Sequence, residues 1–313
     1  GWQVSAGFFS QMQHSLPLIE WVALEYDFLA TFWEDRPAFQ PSPVWWVDEV
    51  RSGRPAPQKI DDYCAAFTKK QADYGLITSA ESVNWLLNMR GRDLAYTPIH
   101  LCYALVSAAG QVHLIGADDS AAEHGYEVTG FNEISQLLEQ LKISDGTQIA
   151  GDKNTLPFSL MQMLEASGAT LTLAEEPLMA MKAVKNPAEL AGFRQAHLAD
   201  GLAMVEFSYW LKEQAPLSQL SESDIAEHLC AVRAKSDSYI CDSFATISGF
   251  NAQGAIVHYR AIKGQDSRLQ NNGVLLVDSG AHYQMGTTDI TRCYGFGEVS
   301  EQAIKASSLV LAA

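Results

Sequence analysis

Asp278-Ser279-Gly280-Ala281-His282-Tyr283-Gln284-Met285-Gly286-Thr287-Thr288-Asp289-Ile290-Thr291-Arg292 is the stretch that decides how this chain is read. It follows the apolar run Val274-Leu275-Leu276-Val277, which suits a buried strand, so Asp278 stands where a strand leaves the core. A carboxylate there has lost part of its hydration and is tolerated only if a cation or hydrogen-bond donors meet it. If Val274 to Tyr283 and Thr287 to Cys293 pair as a hairpin turning near Met285-Gly286, Asp278 and Asp289 converge on one side of the ribbon. Convergent like charges raise each other's proton affinity unless a cation lies between them, so a divalent metal is one reading of the pair. A turn in which Asp289 simply pairs with Arg292 is the other, and spacing leaves both open. Only 24 residues follow Asp289, little sequence in which to complete a metal site.

The composition around this stretch is that of a globular protein. Hydrophobic residues make up 47% and aromatics 10% of 313 residues, enough for two domains and a fragment of a third. Thirty-seven acids against 21 Lys plus Arg give a formal charge of −16, and no basic run offers a footprint for phosphate backbones. This argues against nucleic acid as a partner and against adhesion to an anionic membrane. Cys64, Cys102, Cys230, Cys241 and Cys293 are scattered, odd in number and form no C-x-x-C pair, a usage that fits reduced thiols in a cytoplasmic protein. No apolar run approaches the ~18 residues of a membrane span and no signal peptide is visible. The chain opens at Gly1 without Met, so an upstream region, targeting signal included, is left open.

Periodicity and punctuation divide the chain into three. Residues 1–50 are rich in Trp and Phe, lack a clear period, and run through Pro37, Pro41 and Pro43 as an extended connector, as the tail of a first domain would. Residues 51–176 alternate in the α/β manner. Helices are predicted over 58–70, 133–141 and 156–167 and a strand over 75–78, with a hairpin of 101–106 and 112–115 turning at Ala108-Ala109-Gly110. Residues 177–313 begin with Asn186-Pro187-Ala188-Glu189, a strong helix start that predicts a long helix to about Lys212 with Ala196, Ala203, Phe207 and Trp210 near one stripe. A second helix is expected over 222–234, strands over 244–247 and 255–259, and a last helix from Ser300, with Val299 and Ile304 as a hydrophobic staple.

The stretch from Asp278 to Arg292 closely resembles the metal-binding hairpin of the pita-bread metallopeptidases, and in particular of the soluble, three-domain X-prolyl aminopeptidases (aminopeptidase P). Trp33-Glu34-Asp35-Arg36-Pro37, Trp85-Leu86-Leu87-Asn88-Met89-Arg90-Gly91-Arg92-Asp93, Lys182 to Leu190 and Ala255-Ile256-Val257-His258-Tyr259-Arg260 agree with that family in the same order, so the resemblance covers nearly the whole chain. The Trp85 to Gly91 motif belongs to the three-domain branch. The implied fold class is α/β (α+β), a creatinase-N-terminal-like α/β domain followed by a partial pita-bread catalytic domain.

Residue by residue, the resemblance implies that Asp278 chelates one ion of a dinuclear pair, that Asp289 bridges both, and that His258 contacts the substrate without being a ligand. His282 alternates with Asp278 and Gly280 along the strand, but its family counterpart is not a ligand. The implied cofactors are two divalent metal ions, manganese favoured by the resemblance, with zinc or cobalt also compatible with the donor set. The implied reaction removes the N-terminal residue from peptides with proline second, by a hydroxide that the metal pair generates at neutral pH. Cys293 stands where many members have Thr, and Gln253 where the loop often carries Asn.

The family completes its site with a His and two Glu further on, so as it stands the site is incomplete in this chain. The chain therefore reads as an internal piece, truncated at both ends and inactive alone, of a protein that could form a homodimer at full length. A non-catalytic pita-bread binding module and a prolidase or creatinase-type hydrolase of the same fold are the alternatives; the paired acids disfavour the first and the Trp85 motif disfavours the second.

Overall fold

The computed structural model describes residues 2–22, 24, 26, 28–213, 215 and 219–313. They form two compact units, one of residues 1–94 and 99–186 and the other of residues 95–98 and 187–313.

In the first unit, helix α1 (Ala6–Ser15) starts at an N-cap where Ser5 Oγ accepts from the Phe8 amide. Strand β1 (Trp45–Trp46) is followed by α2 (Glu49–Ser52), α3 (Ala56–Thr68), β2 (Tyr74–Ile77), α4 (Ala80–Leu87) and β3 (Met89–Arg90). Then come β4 (Tyr103–Ser107), β5 (Val112–Ile115), β6 (Glu127–Thr129), α5 (Ile134–Gln140), β7 (Gln148–Gly151), α6 (Phe158–Ala166), β8 (Thr170–Leu173) and α7 (Pro177–Ala183). Six strands make one mixed sheet in the order β6-β5-β4-β2-β7-β8. The predicted hairpin is β4 and β5, antiparallel from Tyr103↔Ile115 to Val106↔Val112, and Gly110 takes φ +82° at its turn.

Both faces of the sheet are covered. Ile77, Ala104, Val106, Val112 and Leu114 join a core with Ile60, Tyr63 and Phe67 of α3 and Leu86 of α4, while Leu76, Leu105 and Ile115 join another with α5 and α6. The period of two sends successive residues to opposite faces, and helices on both sides explain why β2, β4 and β5 bury apolar residues on each. The α1 segment docks here too: the Ala6 and Gly7 amides donate to the Leu156 and Lys153 carbonyls, and Phe9 packs on Phe158.

The Trp85 to Gly91 motif is structural in this unit. Asn88 ends α4 in the left-handed region at φ 56°, its Oδ1 accepts from the buried Lys59 ammonium at 2.6 Å, and that ammonium lies 4.4 Å from the centre of the Trp85 ring. Met89 and Arg90 then pair with Trp46 and Trp45.

The second unit opens with α8 (Pro187–Glu213) and α9 (Glu222–Arg233), the latter begun by a capping box between Ser221 and Asp224. Strands β9 (Tyr239–Asp242), β10 (Ile247–Phe250), β11 (Gly273–Ser279), β12 (Ala281–Tyr283), β13 (Gly286–Thr287) and β14 (Ile290–Phe296) follow, then α10 (Glu301–Ala312), which Ser300 caps. They form two three-stranded antiparallel sheets, β10-β11-β14 and β13-β12-β9. Met204, Phe207 and Leu211 of α8 and Ile225 and Leu229 of α9 pack on Leu275, Val277, Tyr294 and Phe296. Ala196, Ala203 and Phe207 are buried as the stripe predicts, and Trp210 stacks on His228 at 3.5 Å between ring centres.

Two expectations fail in this unit. Residues 255–259 form no strand: a 3-10 turn spans Asn251–Ala255 and irregular backbone follows. The strand expected over 244–247 is displaced, since residues 243–244 form a bend, 245–246 are irregular and pairing begins at Ile247, while Tyr239–Asp242 pairs with β12. Short apolar runs carry no partner information, and here the partners decide. No helix among the described residues is long and apolar enough to cross a membrane.

Phe207 is fully buried, so Phe207→Ala should cost about 3–5 kcal/mol, whereas Leu202→Ala, at a position 66% exposed on the same helix, should stay within about 0.5 kcal/mol. Native-state hydrogen exchange of the α8 and β11 amides measures both. In the first unit, Glu176 is buried, and burial pushes its pKa up to about 7 against a smaller downward pull from the Ser82 hydroxyl. The fold favours the protonated acid, so this contribution to stability is full below the unfolded pKa of 4.5 and is lost as pH rises through about 7. Glu176→Gln should flatten that slope and be more stable than wild type at pH 8, as urea denaturation at pH 5 and pH 8 would measure.

Candidate metal centre

Asp278 lies on β11 between two partners, opposite Ile247 of β10 and Thr291 of β14. Its Oδ1 accepts a hydrogen bond of 2.8 Å from Thr291 Oγ1, which fixes the carboxylate on the strand face. Asp289 immediately precedes β14, so the register Asp278↔Thr291 and Ser279↔Ile290, carried one step further, sets it opposite Gly280. Asp289 and Thr291 are two residues apart and share a face, which makes Asp289 the diagonal neighbour of Asp278 at a typical Cα separation of about 7–8 Å. The half-buried Asp278 and the exposed Asp289 thus share one side of the hairpin.

The hairpin is made in two halves. β11 with β14 belongs to one sheet and β12 with β13 to the other, joined through Gly280 and Thr288. A Cβ on Gly280 would stand 2.0 Å from the Thr288 carbonyl and 2.4 Å from Ser243 Oγ, so only glycine lets the strands cross there. The tip is seated on α8: a Cβ on Gly192 would meet the Met285 carbonyl at 2.3 Å, and Gly286 lies against Phe193 and Ala196.

Beneath the step, Asp200 of α8 and Arg233 at the end of α9 form a bidentate pair with both side chains fully buried. Arg233 Nε donates to Asp200 Oδ1 at 2.7 Å and Nη2 to Oδ2 at 3.2 Å. Tyr283 Oη donates to Oδ1 at 3.0 Å and Thr288 Oγ1 to Oδ2 at 2.6 Å, so each carboxylate oxygen accepts two hydrogen bonds. The guanidinium also donates from Nη2 to Ser279 Oγ at 3.1 Å and from Nη1 to the Gly280 carbonyl at 3.3 Å. Burial and the neighbouring Asp200 hold the Tyr283 phenol above its ordinary pKa, so it remains a donor. The sequence pattern overlooked this network, although it carried a signal: Asp200 is one helical turn from Ala196 and from Met204 on the buried stripe of α8, where a carboxylate needs a partner.

His258 lies in the loop between β10 and β11, exposed. The loop is tied down by Glu222, another buried acid on which sequence pattern is silent, which accepts from the Phe250 amide at 2.6 Å, the Ser267 amide at 3.0 Å and Tyr259 Oη at 2.7 Å. His282 is engaged at both ring nitrogens, with Thr287 Oγ1 at 2.8 Å and the Tyr96 carbonyl at 2.9 Å.

The two hairpin carboxylates are hard oxygen donors on one face and suit a divalent ion. Among the described residues no group of three or more His, Cys, Asp or Glu could hold a metal, so His258 is not gathered with Asp278 and Asp289.

Residues 35–189 match the Creatinase/Prolidase N-terminal domain and residues 191–313 match Metallopeptidase family M24. The chain belongs to the pita-bread metallopeptidase family. Within it, the chain is 33% identical over 303 residues to a probable Xaa-Pro aminopeptidase P of Laccaria bicolor, covering 93% of this chain and 46% of that protein. It is 33% identical over 308 residues to a probable Xaa-Pro aminopeptidase P of Leptosphaeria maculans, covering 93% and 51%. The structure superposes on X-prolyl aminopeptidase of Caenorhabditis elegans, described as a cytosolic enzyme with a di-nuclear active site, with a TM-score of 0.86 and 26% identity over 98% of this chain and 52% of that one. A prolidase of Thermococcus sibiricus, 18% identical with a TM-score of 0.65 over 83% of this chain and 70% of that one, shares the fold alone. The chain spans about half the length of the curated relatives it matches.

Gly280→Ala drives a methyl into the Thr288 carbonyl, and should destabilise the hairpin by about 1–3 kcal/mol, seen as faster hydrogen exchange at the Ala281 and Thr288 amides.

Proposed function

We propose that this chain is part of a metal-dependent aminopeptidase that releases the N-terminal residue from peptides with proline in the second position. The observation that carries the reading is the placement of Asp278 and Asp289 as diagonal neighbours on one face of a hairpin, in a chain of the M24 family. The names of the Laccaria and Leptosphaeria relatives support the substrate class, and the di-nuclear site of the Caenorhabditis enzyme supports two divalent ions. Manganese suits carboxylate donors and is the ion we propose. That enzyme is cytosolic, and the same compartment is proposed here.

In this reading Asp278 and Asp289 hold the metal pair, Asp278 with its orientation set by Thr291. When bound, the pair would polarise the scissile carbonyl and lower the pKa of water. His258, on the loop that Glu222 anchors, would contact the peptide. Two carboxylates without a third donor among the described residues make an incomplete centre, so the 313-residue chain alone should show no turnover.

The test is hydrolysis of X-Pro peptides by the full-length protein with Mn²⁺. Release of the first residue is expected, and Asp278→Asn or Asp289→Asn should each lower kcat/KM by about 1,000-fold or more, since a metal supplies several kcal/mol of transition-state stabilisation. His258→Ala should reduce turnover while leaving metal content unchanged. Cleavage confined to X-Pro dipeptides would move the protein to the prolidase side of the family, and no metal-dependent cleavage would overturn the reading.

A further inference from the structure

Asp200 and Arg233 form a fully buried ion pair whose service to the fold is not obvious from stability alone. Desolvating two charges consumes most of their attraction, and apolar residues of similar size commonly stabilise a core as well or better. Helices α8 and α9 do not need the pair to meet, because Met204, Phe207, Ile225 and Leu229 already pack them together. Apart from Met204 Sδ, the remaining hydrogen bonds of the pair all go to the hairpin: to Ser279 Oγ, the Gly280 carbonyl, Tyr283 Oη and Thr288 Oγ1.

Those contacts have a pattern. Ser279 is the chain neighbour of Asp278, and Thr288 is the chain neighbour of Asp289. Side chains alternate along a strand, so the face that points inward at Ser279 and Thr288 is the reverse of the face that carries the two acids. Thr288 is held from both directions, donating to Asp200 and accepting from the Ala281 amide at 3.0 Å. One rigid, planar guanidinium and one carboxylate therefore grip both strands at the step where the hairpin changes sheets.

We infer that the buried Asp200–Arg233 pair is a positioning device that fixes the separation and aim of the Asp278 and Asp289 carboxylates through Ser279 and Thr288. The inference rests on the metallopeptidase reading given above. Supporting residues of this kind, which hold ligands without touching the ion, typically change metal affinity by about 10–100-fold when removed.

The experiment titrates Mn²⁺ into the full-length protein, reads free Mn²⁺ by electron paramagnetic resonance, and melts the metal-free protein in parallel. Thr288→Val keeps the shape and removes the hydroxyl, and should weaken Mn²⁺ binding about 10- to 100-fold in protein that remains folded. Thr288→Ser restores the hydroxyl and should bind within about threefold of wild type. Ser279→Ala removes only the link on the Asp278 side and should weaken binding severalfold with little change in Tm; it decides the matter if Thr288→Val does not fold. A purely structural role would lower Tm without changing the affinity of the folded fraction. Wild-type affinity in Thr288→Val and Ser279→Ala, or a loss in Thr288→Ser equal to that in Thr288→Val, overturns the inference and leaves the metallopeptidase reading standing. A wild-type protein that binds no Mn²⁺ overturns both.

Discussion

The constraint on which the second unit depends is the burial of a charge pair beneath a hairpin that must change sheets. Asp200 projects from the middle of α8 and Arg233 from the end of α9, and both sit where solvent cannot reach them. An uncompensated charge in that position would cost several kcal/mol, so every lone pair of Asp200 that can be met is met. Two of the groups that meet it, Tyr283 and Thr288, and two that meet Arg233, Ser279 and Gly280, come from the hairpin. The electrostatic need of the helices is thereby answered by the strands.

The two units solve the burial of a sheet differently. The first places helices on both faces and fills each interface with aliphatic and aromatic side chains, so its order is set by shape and area. The second includes Asp200, Glu222 and Arg233 in its interior. Polar groups in a core are directional where apolar packing is not, and directionality is what a site built from two strands needs. Glu222 does for the loop carrying His258 what Asp200 does for the hairpin, receiving two backbone amides and a phenol from a segment that has little regular structure of its own.

Most helices of this protein were legible as pattern. The start at Pro187, the Ser300 cap and the stripe of Ala196, Ala203 and Phe207 are local signals, because capping and helical period involve residues within a few positions of one another. The hairpin of β4 and β5 was legible for the same reason, with Gly110 at its turn. Strands β6, β7 and β8 were not, nor was β9, since short segments acquire their state from a partner distant in sequence. Residues 255–259 show the converse: Ile256 and Val257 have strand-forming side chains, yet both are exposed, and the tethers from Glu222 to Phe250, Tyr259 and Ser267 hold that loop away from pairing.

The sequence by itself determined the family, the order of the two units and the two carboxylates that share a face, because motif spacing and a period of two are properties of the chain alone. Only the tertiary structure decided what holds those carboxylates. Asp200, Arg233 and Thr288 are separated by 33 and 55 positions along the chain, and no local rule links an acid on one helix, a base at the end of another and a hydroxyl at a strand crossing. They are joined because a buried charge requires a partner, and the fold brings these within reach of one another.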